Sequence, residues 1–112
     1  MTRRKYKEYW RPVVERMIRE YPGIKSHTDF QARLMTYAIE KTMEETSRMP
    51  DGLLRLRVIG LVYMAKSHSL DGAAMKVHAS RRTVQRWIDD FMRRVAVHSA
   101  YTENSEIGAS RT

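Results

Sequence analysis

Residues 70–95 read LDGAAMKVHASRRTVQRWIDDFMRRV, and the division of labour within this stretch decides the fold. Val84, Trp87, Ile88, Phe91 and Val95 recur at steps of three and four, the spacing that lines one face of an α-helix. Arg81, Arg82, Gln85, Arg86 and Arg93 fall off that face. Ser80 stands just before the helix, where its hydroxyl can accept a backbone N–H of the first turn. Upstream, Leu70 to Val77 suits a short helix, and His78-Ala79 supplies a turn. Ala74 is small where two helices would cross closely, while Val77 and Ala79 flank the turn as apolar contacts. A short helix, a tight turn and a longer helix to about Val97 make a helix-turn-helix. Two features depart from the usual pattern. Asp71 and Gly72 weaken the first helix, and His78 stands where such units often place a glycine with positive φ.

Working outward toward the N-terminus, the periodicity stays helical and strand signals are nearly absent. Leu53, Leu56, Ile59, Gly60 and Tyr63 share one face of a third helix, with Arg55, Arg57 and Lys66 off it, and Ser67-His68-Ser69 breaks it. Ser47 to Gly52, with Pro50 and Gly52, reads as a turn between two halves. Before it, Thr28-Asp29-Phe30-Gln31 is a capping-box pattern in which Thr28 and Gln31 satisfy free N–H groups. Phe30, Leu34, Tyr37, Ala38 and Met43 are the expected buried stripe of that second helix, which fades near Thr46. The first helix carries Tyr6, Tyr9, Trp10, Val13, Val14, Met17, Ile18 and Tyr21. Pro12 either kinks it or sits in its first turn, and Tyr21-Pro22-Gly23 is expected to stop it near Glu20. The tail from Tyr101 to Thr112 is polar and aperiodic, and is expected to be frayed.

The expectation is an all-α fold of four to five helices. An N-terminal helical pair (1–50) packs against, or swings from, a helix-turn-helix unit (51–98), followed by a tail (99–112). At 112 residues the chain fits one domain of ordinary size. No run of apolar residues is long enough for a membrane span, and the basic N-terminus lacks the apolar stretch of a secretory signal. Without cysteine there is no disulfide, thiol nucleophile or thiolate metal site, which suits a reducing cytoplasm.

The charge is +8 overall and unevenly placed. Residues 1–25 carry a net +5, 26–50 a net −1, 51–98 a net +5 and 99–112 a net −1. Two basic blocks around a near-neutral one point to a polyanion, nucleic acid or a membrane surface, the plainer reading being a basic solvated surface.

Candidate contacts to double-stranded DNA are Ser80, Arg81, Arg82, Thr83, Gln85 and Arg86, with Arg55, Arg57 and Lys76 beside them. Arg and Gln suit bidentate contacts to guanine and adenine respectively, and residues at the start of such a helix reach base edges in the major groove. The plainer reading of these residues is a solvated helix face. Thr83 suits a phosphate contact or a local helix bond. Trp87 and Phe91 fit the apolar stripe better than a base-stacking platform. Asp89 and Asp90 would repel phosphates, so the contact surface is placed N-terminal to them.

Arg3, Arg4, Lys5 and Lys7 form either an arm toward DNA or a solvated terminus. The aromatic first helix beside a near-neutral second one suggests a homodimer through the N-terminal half, which would read two half-sites. The eight methionines suit an adaptable core.

Nothing points to catalysis or a cofactor. His27, His68, His78 and His98 are too widely spaced for a metal-ligand pair. Glu44-Glu45 and Asp89-Asp90 are adjacent, so their side chains diverge on a helix.

The run Ser80-Arg81-Arg82-Thr83-Val84-Gln85-Arg86-Trp87 resembles the start of the recognition helix in many bacterial helix-turn-helix regulators, where Ser-x-x-Thr-Val-x-Arg is common. Leu53 to Val95 is similar to region 4 of sigma factors, the part that binds promoters. With Tyr9-Trp10, Val13-Val14-Glu15 and Tyr21-Pro22 added, residues 6–98 resemble the ArpU/RinA-like regulators of phages and prophages of Gram-positive bacteria. That resemblance implies transcriptional control of late genes in the cytoplasm of a bacterial host, with RNA polymerase as a further partner. Two rivals stand beside it. A small terminase subunit would bind packaging-site DNA as a ring-like oligomer, and a protein-interaction module would turn its basic faces to an acidic protein.

Overall fold

The computed structural model describes residues 8–99, which contain five α-helices and no strand. A 3₁₀ turn, Glu8–Trp10, leads into α1 (Arg11–Ile24). Then follow α2 (Phe30–Ser47), α3 (Gly52–Ile59), α4 (Leu70–Lys76) and α5 (Arg81–His98). The basic N-terminal cluster Arg3, Arg4, Lys5 and Lys7, and the tail beyond Ser99, lie outside the described residues.

Pro12 lies in the first turn of α1, where its missing N–H is no loss. The expected stop at Tyr21-Pro22-Gly23 is one turn early. Pro22 is inside the helix, which closes with Lys25 N–H donating to the Tyr21 carbonyl at 2.9 Å. In the last turn a proline forfeits one hydrogen bond without disturbing those that follow. The cap of α2 also differs. Asp29, rather than Thr28, accepts the Ala32 N–H at 3.2 Å.

The larger correction concerns which face of α2 is buried. Ala32, Ala38, Ile39, Thr42 and Thr46 point inward, whereas Phe30, Leu34 and Tyr37 are exposed. The inward stripe is mostly small, which lets α2 lie close to α5, its most extensive partner. The buried Thr42 hydroxyl remains satisfied by donating to the Ala38 carbonyl at 2.8 Å.

A tight link joins α2 to α3. Asp51 takes the left-handed conformation at φ 59°, and Gly52 packs over the end of α2. A Cβ on Gly52 would stand 2.5 Å from the Thr46 carbonyl oxygen and 2.7 Å from that of Ser47. The third helix is not one uniform element. It widens into a π turn at Gly60–Met64, and Lys66 then turns the chain at φ 55°. Its inward side chains are Val58, Ile59 and Tyr63. Leu56 is only partly buried, and Leu53, expected on the inner face, is exposed.

One continuous core joins all these parts. Ile18 and Val14 of α1, Ile39 of α2, Val58 and Ile59 of α3, and Ile88, Phe91 and Met92 of α5 are its largest fully buried side chains. The core holds α4 and α5 through Ala73, Ala74, Val77 and Val84. It also absorbs Trp10 and Tyr21 of the aromatic first segment, while Tyr9 stays exposed.

Candidate nucleic-acid interface

The helix-turn-helix geometry is built by local chemistry. Ser69 caps α4, accepting the Gly72 N–H at 3.0 Å. After α4, His78 adopts φ 59°, the left-handed conformation expected of a glycine there, and the chain turns into Ser80. Ser80 Oγ accepts the Thr83 N–H at 3.1 Å and donates to Thr83 Oγ1 at 2.9 Å. Thr83 is thus engaged locally at the cap. With the start of α5 fixed, Val84, Trp87, Ile88, Phe91 and Val95 all point into the core.

The opposite face of α5 follows from that anchoring. Arg82 and Arg86 are exposed, one turn apart, and directed away from the buried stripe. Neither pairs with an acidic group among the described residues. Arg81 lies to one side and reaches Asp71 of α4, Nε to Oδ1 at 3.2 Å, with both side chains largely in solvent. Such an exposed pair holds with about 1 kcal/mol or less and releases easily. Lys76 is exposed at the end of α4, and Arg57 is exposed on α3.

Two expected contacts are differently employed. Gln85 is half-buried, its amide donating to Asp89 Oδ1 at 3.0 Å. Arg55 is turned inward. Its Nε donates to the Pro50 carbonyl at 3.1 Å and its Nη1 lies 3.7 Å from Asp90 Oδ2. The guanidinium also covers Trp87, 5.8 Å from the ring centre. Arg55 ties the α2–α3 link to α5, a role its place off the apolar stripe did not reveal.

The acidic pair that follows the basic turns is neutralised from behind. Asp89 receives Arg11 of α1, Nη1 to Oδ1 at 2.8 Å. Asp90 receives Arg94, Nε to Oδ2 at 2.9 Å, as well as Arg55. The sequence gives the i,i+4 spacing of Asp90 and Arg94, but Arg11 is distant in the chain and leaves no local signal. The field at the start of α5 is therefore set by Arg82 and Arg86, which have no acidic partner among the described residues, while Arg81 shares its charge with Asp71.

Among the described residues no cluster of His, Asp and Glu could hold a metal ion, and no helix is long and apolar enough to cross a membrane. Comparison with family models, curated proteins and solved structures gives no match for this chain.

Proposed function

We propose that the protein binds double-stranded DNA by laying the first two turns of α5 in the major groove, as a regulator of transcription. The observation that carries this reading is the pairing of Arg82 and Arg86, exposed without an acidic partner among the described residues, on a helix whose other face is locked into the core. A helix held this way presents its N-terminal side chains to base edges at low entropic cost. Arg81, Lys76 and Arg57 supply exposed charge for phosphates beside the groove. Arg55 and Gln85 act here as supports for the docking helix.

The resemblance of residues 6–98 to ArpU/RinA-like regulators narrows the proposal to phage or prophage late genes, with RNA polymerase as the second partner. The test is selection of duplexes from a random pool by the full chain, followed by titration of a selected and a scrambled duplex at several salt concentrations. Preference for the selected duplex, with affinity falling linearly on a log–log salt plot, is the expected result. Failure to retain any duplex at low salt overturns the proposal and favours an acidic protein partner.

A further inference from the structure

The second helix presents an apolar face that the core does not use. Phe30, Leu34 and Tyr37 are 76%, 48% and 56% exposed, at the i, i+4, i+7 spacing of one helical stripe. Beside them lies a groove of about 430 Å³, walled by Val13, Arg16, Met17 and Glu20 of α1 and by Leu34 and Met35 of α2. We propose that this face is the interface of a homodimer, with a second copy of the chain as its occupant.

Three observations favour a second copy. The first is charge. A two-fold interface sets each patch against itself, so a strongly basic face repels its own image. Residues 26–50, which hold the stripe, carry a net −1, and on the α1 wall, which lies in the first basic block, Arg16 is balanced by Glu20. The second is self-complementarity. Arg16 and Glu20 are exposed one turn apart on the far wall of the groove. An antiparallel crossing sets Arg16 against Glu20 of the partner subunit and Glu20 against Arg16 of the partner subunit. The same crossing, centred near Leu34, lays Phe30 over Tyr37 of the partner subunit.

The third is size. The three exposed side chains present on the order of 350 Å² of surface per protomer, judged from the 150–250 Å² of a large aromatic. A standard interface takes about 800 Å² from each partner around an apolar centre with a polar rim. The stripe supplies the centre, and the groove walls together with Gln31 and Arg33 supply the rim.

The inference stands apart from the DNA-binding reading, because its test contains no DNA. The full chain is studied by sedimentation equilibrium over the micromolar range, beside Phe30→Glu and Tyr37→Glu. Both side chains lie outside the core, so the variants keep the parent's melting temperature when extrapolated to low concentration. The expected result is a parent mass that rises from monomer to dimer and a dissociation constant at least roughly 30-fold weaker in each variant, as for an interface hot spot.

The chain has no cysteine, so a single Leu34→Cys gives an unambiguous second measurement. Mild oxidation should yield a disulfide-linked dimer from Leu34→Cys and none from Arg57→Cys, which lies on α3. A parent that stays monomeric throughout the range overturns the proposal. So does a dimer that both variants leave unchanged, or an assembly larger than two.

Discussion

Arg11 Nη1 lies 2.8 Å from Asp89 Oδ1, joining the first turn of α1 to the middle of α5 across 78 residues of chain. The same carboxylate oxygen accepts Gln85 Nε2 at 3.0 Å, and Arg11 Nε reaches Glu15 at 3.3 Å. Partial burial pulls the Arg11 pKa down, but the hydrogen bonds and charges of Asp89 and Glu15 outweigh it, and the guanidinium is more firmly protonated than usual. The pair therefore braces the proposed docking helix and masks a carboxylate one turn beyond Arg86. Arg11→Met should lower stability by about 1 kcal/mol, a deficit that shrinks at high salt. It should also weaken duplex binding by unmasking Asp89. Thermal unfolding at two ionic strengths and a DNA titration check both parts.

Trp87 is a structural residue rather than a base-stacking one. It is buried in the core, and the guanidinium of Arg55 covers it. Trp87→Ala should cost roughly 3–5 kcal/mol, a large fraction of what a small domain has. A melting temperature equal to the parent's, with DNA binding lost, would place Trp87 at the interface instead.

His78 holds φ 59° in the turn between α4 and α5. A side chain in this region costs roughly 1–2 kcal/mol, and glycine removes the clash while adding roughly 0.5–1 kcal/mol of backbone entropy to lose. His78→Gly should therefore stabilise by a few tenths to about 1 kcal/mol. The His78 ring is exposed, so little packing is forfeited. A lower melting temperature for the glycine variant would show that the imidazole does something the turn needs.

That turn was legible in the sequence, as were the Ser80 cap and the inner face of α5. Each is a local pattern in which large apolar residues and special backbone positions agree. The second helix was not. Phe30, Leu34 and Tyr37 form the stronger apolar period, yet the core takes the stripe of Ala32, Ala38, Ile39, Thr42 and Thr46. Close packing against α5 rewards small side chains, and periodicity weighted by hydrophobicity overlooks a threonine such as Thr42, whose hydroxyl bonds to the Ala38 carbonyl of its own helix. At the candidate site, exposure of Arg82 and Arg86 followed from the helical period. The inward turn of Arg55 depended on Asp90 and Trp87, which only the tertiary fold brings to it.

Glu45 couples α2 to the end of α5, its Oε1 lying 3.0 Å from His98 Nε2 and 3.5 Å from Arg94 Nη1. Its carboxyl is held below the ordinary 4.5, chiefly by the His98 hydrogen bond. Partial burial opposes this, and the charges of His98 and Arg94 reinforce it. A carboxylate whose folded pKa is depressed adds stability above its unfolded pKa and loses it as pH falls through the folded one. Glu45→Gln should thus melt below the parent, by about 1 kcal/mol at this partly exposed site. The gap should be full about one pH unit or more above the ordinary 4.5, shrink as pH falls through that value and close below the folded pKa. A gap independent of acid would remove Glu45 from the contacts that matter.

Arg82 carries the sharpest test of the DNA-binding proposal. It stands two residues after the Ser80 cap, on the face of α5 opposite Val84, Trp87 and Ile88, with Arg86 one turn further on. Side chains at the start of a docked helix meet base edges, whereas those two turns later meet the backbone. If Arg82 reads a base, Arg82→Ala should cost about 1–3 kcal/mol of binding and relax preference at one or two base pairs. If it neutralises a phosphate, affinity should fall almost equally on all duplexes and the salt slope should drop by about one. Either loss comes without a change in melting temperature, because the side chain is exposed and makes no ion pair within the described residues. Titration of selected and scrambled duplexes at several salt concentrations separates the two roles. An Arg82→Ala protein that binds both duplexes as the parent does removes this residue from the interface.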